Sequence, residues 1–167
     1  MAKTLTKVSG PELYETDYYE WLEQQAELLR EGRIEDIDAQ NLVEEFEELA
    51  MGERASVESH AETVIEHLLK LEHSPAERPR RGWRLTVVRH RGRLAKRLTA
   101  SLRNRLGAAL GDVYRDARRA AAIGLEVDKV PAGQLPEACP YTLDQILDPD
   151  WLPTNRHGID DTNDGTT

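Results

Sequence analysis

The feature that most constrains the fold is a long run of apolar residues at helical spacing between residues 39 and 72. Its members are Leu42, Phe46, Leu49, Ala50, Val57, Ala61, Val64, Leu68 and Leu71. This period is typical of one face of an α-helix, and Asp38 precedes it as a good N-cap. The run predicts a helix of roughly 50 Å at 1.5 Å per residue. The sequence leaves open whether this helix is continuous through Gly52.

The rest of the chain repeats the helical pattern in shorter pieces. The predicted elements are a helix over 12–31 that stops at Gly32, a loop over 73–82, a helix over 83–99, a helix capped by Ser101 and ended by Gly124, and a short helix over 142–147. Thr142 and Gln145 have the spacing of a capping box. The fold class is therefore all-α, a helical bundle of four main helices plus a short C-terminal one.

Length and composition predict one domain. The 167 residues divide into a loose leader over 1–10, a single helical domain over 11–153, and a tail over 154–167 that lacks core residues and is expected to be disordered. No apolar run approaches the roughly 18 residues of a membrane span, so no membrane partner is expected. The lone cysteine, Cys139, fits a reducing cytoplasm.

Five sequence blocks occur in a familiar order. They are YETDYYEWLEQQAELLREGRIEDIDAQNLVEEFEELA at 14–50, HLLKLEHSP at 67–75, WRLTVVRHR at 83–91, YRDARRAA at 114–121 and CPYTLDQILDPDWLP at 139–153. Together they resemble the bacterial family called domain of unknown function, number 29. The resemblance implies a helical fold and a bacterial origin. That family has no established activity, so the resemblance assigns no functional residue.

Charge is divided along the chain. Residues 12–72 hold nineteen acidic and four basic side chains, whereas residues 78–119 hold fourteen basic and two acidic ones. The net charge of −9 conceals this division. The pattern predicts a bipolar surface, because the acidic side chains of the first two helices fall mostly opposite their apolar faces.

The basic region supplies the candidate anion-binding residues. These are Arg80, Arg81, Arg84, Arg89, Arg93 and Arg97. One hypothesis is a surface that binds a polyanion, such as the phosphates of RNA or DNA. The alternative, which the sequence favours, is that these arginines reach carboxylates on neighbouring helices or on a second subunit. No recognised nucleic-acid motif is present, and aromatic residues are few.

Inward-facing histidines give a weaker hypothesis, a metal-dependent enzyme. The candidate ligands are His60, His67, His90 and Glu53. His60 and His67 are two turns apart, about 10 Å along a helix, whereas two ligands on one helix normally stand three or four residues apart. Histidines packed inside a helical bundle are the favoured interpretation, and no cofactor is expected.

Function is not determined by these patterns. The chain has no P-loop, no dinucleotide-binding glycine motif and no nucleophile elbow, which argues against an enzyme. Long amphipathic helices with segregated charge favour a non-enzymatic interaction or assembly module. Its expected partner is a second copy or another protein, because a long second helix would leave part of its apolar face exposed.

Overall fold

The computed structural model describes residues 10–159. Within them the chain is helical and contains no strand, which confirms the all-α prediction. The helices are α1 Gly10–Thr16, α2 Tyr18–Arg30, α3 Ala39–His73, α4 Arg80–Arg97, α5 Ala100–Leu125 and α6 Leu143–Leu147. Residues 1–9, most of the predicted leader, lie outside the described residues, and Gly10 already belongs to α1.

The chain divides into two compact units, with the boundary between Gly52 and Glu53. The first unit contains α1, α2 and the beginning of α3, and the second contains the remainder of α3 and everything after it. The prediction of a single domain over residues 11–153 stays a prediction.

The helix predicted over residues 12–31 is wrong in one respect, because the chain breaks at Asp17. Asp17 leaves the helical conformation at φ −150° and becomes the N-cap of α2, where its carboxylate accepts a hydrogen bond from the Glu20 amide. Aspartate caps a helix better than it continues one. The predicted stop is confirmed, since Gly32 follows α2 with a φ of +72°, a conformation that favours glycine.

A buried tryptophan organises the first unit. Trp21 has no exposed surface, and its indole N–H donates to the Asp38 carboxylate at 3.2 Å. The buried Gln25 side chain accepts from the Asp38 amide at 2.7 Å. Asp38 also accepts from the Asn41 amide in the first turn of α3, as its predicted N-cap role requires. Asp38 therefore joins α2 to the start of α3.

The helix α3 is continuous through Gly52, a point that the sequence leaves open. From Val57 onward its apolar face is fully buried against α4 and α5, in one core that also receives Ile146 of α6. The core consists of aliphatic side chains together with Tyr114 and Tyr141.

Three predicted boundaries of α4 and α5 are wrong. The helix α4 begins at Arg80, before the predicted Trp83. Thr99, in extended conformation, caps α5 by accepting from the Leu102 amide, so Ser101 lies inside the first turn. Gly124 does not end α5, which continues to Leu125. A Cβ at Gly124 would lie 2.5 Å from Lys70 Cε, so the glycine gives space to a neighbouring side chain.

The C-terminal segment packs against the rest of the second unit. The capping box of Thr142 and Gln145 is confirmed, and Ile146 is fully buried. Disorder from residue 154 onward is wrong for residues 154–159, because Asn155 is buried and donates to the carbonyls of Leu71 and Ser74. These are orphan acceptors at the end of α3, which a nearby amide can satisfy. Residues 160–167 lie outside the described part of the chain.

Candidate functional site

The helix α4 carries eight basic side chains and no acidic one. Its exposed members are Arg81, Arg89, Arg93, Lys96 and Arg97. Arg80 is a correction to the predicted anion-binding set, because it is only 4% exposed and donates to the Leu71 carbonyl at 2.9 Å. Arg84 is half-buried. The basic surface of this helix is therefore smaller than the sequence predicts.

Several arginines of the basic region have structural contacts within the second unit. Arg91 is buried and donates to the carbonyls of Gln145, Ile146 and Trp151. Arg118 donates to the carbonyls of Ala132, Leu135 and Pro136. The sequence predicts carboxylate partners for such arginines. Backbone carbonyls take that place at these two positions, whereas Arg97 and Arg103 do contact carboxylates, those of Glu53 and Asp144.

A pocket of about 490 Å³ lies between α3 and α4. Its lining residues are Ser56, His60, Arg93, Lys96 and Arg97. Three cationic side chains follow one flank of α4 at positions i, i+3 and i+4, where side chains are neighbours. Ser56 and His60 stand one turn apart on the facing side of α3. The pocket thus combines three cations, a hydroxyl group and an imidazole.

One carboxylate stands next to this pocket. Glu53 lies one turn before Ser56 and accepts from Arg97 through both oxygens, at 3.1 and 3.3 Å. Both side chains are about half exposed, so water screens the pair and its contribution to stability is small. Glu53 is therefore an anionic group of the protein itself that pairs with one of the cations of the pocket.

Two histidines lie at the pocket: His60 lines it, and His90 packs against His60. The rings of His60 and His90 meet edge to face with centroids 5.0 Å apart. The Nδ1 atom of each is buried and has no hydrogen-bond partner within residues 10–159. Burial lowers the pKa of both rings, and the charge of Arg93 lowers it further. Both imidazoles are consequently neutral at pH 7.

The four metal-ligand candidates do not form a ligand set. Within the described residues no three His, Cys, Asp or Glu side chains are placed to hold a metal ion. Glu53 contacts Arg97, and His67 directs Nδ1 to the Thr63 carbonyl at 2.9 Å. Because a carbonyl can only accept, Nδ1 of His67 carries the proton. The structure thus brings His60 to three cations, a poor environment for a metal ion.

Among the exposed apolar residues of the described part are two groups, one in each unit. At the start of α3, Val43, Phe46, Leu49 and Met51 are 54–66% exposed, among several glutamates. On α4, Leu85 and Val88 are 48% and 60% exposed, and the exposed Arg81 and Arg89 lie on the same face of the helix. The sequence predicts the first of these surfaces through its long stripe. The second surface is not apparent in the sequence, because many arginines surround its apolar residues.

Ser56 and Lys96 are the site residues that sequence reasoning missed. Lys96 follows Arg93 by three residues and precedes Arg97 directly, so the flank of α4 is readable from spacing alone. Ser56 carries no such signal, because only the packing of α3 against α4 gives it neighbours. Arg91 was likewise indistinguishable from the exposed arginines, since its carbonyl partners lie more than fifty residues away.

The fold and the pocket define an all-helical protein with a small cationic site and no assembled metal-ligand group in its described part. Residues 13–152 match the model of the family described as domain of unknown function DUF29, and the chain belongs to that family. No curated protein and no solved structure matches the chain. In the described residues, no helix has both the length and the apolar character needed to cross a membrane.

Proposed function

We propose that this chain is a non-enzymatic assembly module of the bacterial cytoplasm that binds a second copy of itself. The contact joins the acidic, apolar start of α3 in one copy to the basic, apolar face of α4 in the other. The observation that carries the proposal is the exposure of Phe46 and Leu49, at 60% and 66%. A helix with unpartnered apolar residues at i and i+3 favours association with another surface.

The acidic surface consists of the apolar residues Val43, Phe46 and Leu49 with the flanking Glu47. All four are exposed. Phe46 and Leu49 are three residues apart on α3 and therefore lie on one side of that helix.

The basic surface consists of Arg81, Leu85, Val88 and Arg89, which fall on one side of α4 at i, i+4, i+7 and i+8. Gly92 continues this side one turn later, and a Cβ there would meet nothing within 4 Å. A glycine at such a position lets another helix approach closely. The two surfaces thus match in apolar character and oppose each other in charge.

Charge decides which surfaces pair. Two α3 surfaces in contact would bring Glu47 of one copy close to Glu47 of the other, and like charges in close contact are destabilising. Pairing α3 with α4 replaces that repulsion by attraction between Glu47 and arginines. Since each copy offers both surfaces, a two-fold dimer contains the contact twice.

The test exchanges charges between two variants. One variant carries Arg81→Glu and Arg89→Glu, and the other carries Glu47→Arg. Each alone would oppose like charges at both contacts and is expected to be monomeric in light scattering. An equimolar mixture restores attraction at both contacts, so a mixed dimer is expected.

An apolar variant tests the second component of the contact. Phe46→Ser with Leu49→Ser is expected to weaken dimerisation by tenfold or more, given roughly 1.5–3 kcal/mol for burial of one large apolar side chain. Ile123→Ser with Val127→Ser is the matched control, because these residues are also exposed but lie outside both surfaces. A wild-type chain that stays monomeric up to about 0.5 mM, or a mixture that does not dimerise, would refute the proposal.

A further inference from the structure

We propose that the pocket between α3 and α4 binds a small tetrahedral oxyanion, either phosphate or the phosphate group of a phosphomonoester. The pocket belongs to the second unit alone and shares no residue with the two surfaces of the dimer contact. It is a ligand site with its own chemistry, distinct from the proposed self-association.

The lining of the pocket carries this inference. Arg93, Lys96 and Arg97 surround it from α4, and Ser56 and His60 close it from α3. Guanidinium groups bind the oxygens of a phosphate in pairs, while an ammonium group acts as a point charge. A serine hydroxyl can donate to a further oxygen. Three cations within two turns suit a doubly charged anion better than a single carboxylate.

His60 adds a titratable group to the lining of the pocket. Its Nδ1 atom is buried and lacks a hydrogen-bond partner among the described residues, and such atoms are rare in native proteins. The His60 ring lines the pocket together with Arg93, Lys96 and Arg97 of α4. It also packs against His90, which belongs to α4. On its own helix the nearest carboxylate on the pocket side is Glu53, whose charge is directed at Arg97.

Anion binding would change the protonation of His60. Burial lowers the pKa of this ring first, and the charges of Arg93 and Arg97 lower it further. A bound dianion offsets those charges, so the pKa of His60 rises and the ring takes up a proton as the ligand binds. Affinity for an anion that stays doubly charged should therefore increase as the pH falls from about 8 to about 6.

Glu53 gives the site a gain-of-affinity variant. Its carboxylate occupies Arg97 in the free protein, so an incoming anion competes with it. Glu53→Gln removes the competing charge and keeps the size of the side chain. This variant is expected to bind phosphate more tightly, a result that loss of structure would not produce.

Titration calorimetry of the full chain with inorganic phosphate and with phenyl phosphate tests the proposal. Saturable binding of either is expected, and the tighter of the two shows whether the free ion or an ester is the better ligand. Lys96→Ala and Arg93→Ala are each expected to weaken binding about tenfold. Arg119→Ala, an exposed arginine of α5 outside the pocket, is the matched control and should leave the affinity unchanged.

Sulfate tests the role of His60, since it stays a dianion over this pH range. Its affinity should rise towards lower pH in the wild type and stay level in His60→Gln. Failure of phosphate, phenyl phosphate and sulfate to bind saturably below about 10 mM would overturn the inference. Binding of an oligonucleotide without binding of these small anions would also overturn it, in favour of an extended polyanion surface. Neither result bears on the dimer, whose residues are intact in all of these variants.

Discussion

Replacement of Arg91 with methionine is expected to destabilise the second unit by roughly 3 kcal/mol. Arg91 belongs to α4 and is buried. The three nitrogen atoms of its guanidinium donate to three different carbonyls. The donor–acceptor distances are 2.9 Å to Ile146, 2.8 Å to Trp151 and 2.9 Å to Gln145. Gln145 and Ile146 lie in α6, where the last carbonyls of the helix have no partner within it. Arg91 therefore holds α6 and the following turn.

The magnitude follows from two opposing effects. Hydrogen bonds to a charged group contribute roughly 1.5–3 kcal/mol each, which gives an upper bound near 9 kcal/mol for three of them. Burial of the charge costs several kcal/mol, and methionine avoids this cost. Desolvation is also visible in the pKa of Arg91, which burial lowers although Asp148 and Asp150 oppose the change. Methionine retains most of the apolar contact area, so the loss measures the hydrogen bonds minus the cost of burying the charge.

Urea unfolding followed by circular dichroism measures the change. Arg89→Met is the matched control, because Arg89 is exposed on the same helix, and a change within about 0.5 kcal/mol is expected. Arg91→Lys should fall between the two, since an ammonium group keeps the charge but cannot reach three acceptors in one plane. A loss below about 0.5 kcal/mol in Arg91→Met would show that the carbonyls are satisfied without the guanidinium.

Two further predictions concern the second unit. Burial is the largest influence on His60, His67, His73 and His90 and lowers the pKa of each below 6.5. The folded state then binds fewer protons than the unfolded state, so stability is complete above about pH 6.5 and falls below it. A urea midpoint that is equal at about pH 7.5 and pH 5.5 would contradict this. Asn155→Ala should cost about 1–3 kcal/mol, because its amide donates to two buried acceptors at the end of α3. Thr154→Ala, at an exposed neighbour, should have no measurable effect on the urea midpoint.

Periodicity made the helices of this chain predictable, because a regular apolar face records both the length of a helix and the side that packs. The apolar face of α3 is the clearest case, although only the structure shows that the helix passes Gly52 without a break. Boundaries that depend on a single side chain were harder to predict. Asp17 splits the first helix, and Thr99 caps α5 in place of Ser101, because capping depends on backbone conformation that neighbouring segments determine.

The candidate site was only partly predictable for a different reason. Arg93 and Arg97 belong to the predicted anion-binding set, and His60 to the predicted metal set, but the structure unites them in one pocket. Sequence spacing relates residues on one helix and carries no information on which turn of α3 faces which turn of α4. The pairing of His60 with two arginines therefore appears only when the helices are packed.

The contacts that the arginines make change how the division of charge along the chain should be interpreted. Arg80, Arg91 and Arg118 donate to backbone carbonyls at the ends of helices and turns. A guanidinium serves this role well because it has five donors in a plane and stays charged when buried. Substitution of lysine for arginine should thus affect stability differently at two positions of α4. It should be costly at Arg91, which needs several donors, and nearly neutral for stability at exposed Arg89. For a self-association driven by net attraction, Arg89→Lys should also preserve the dimer, whereas a contact that depends on a planar guanidinium would lose it.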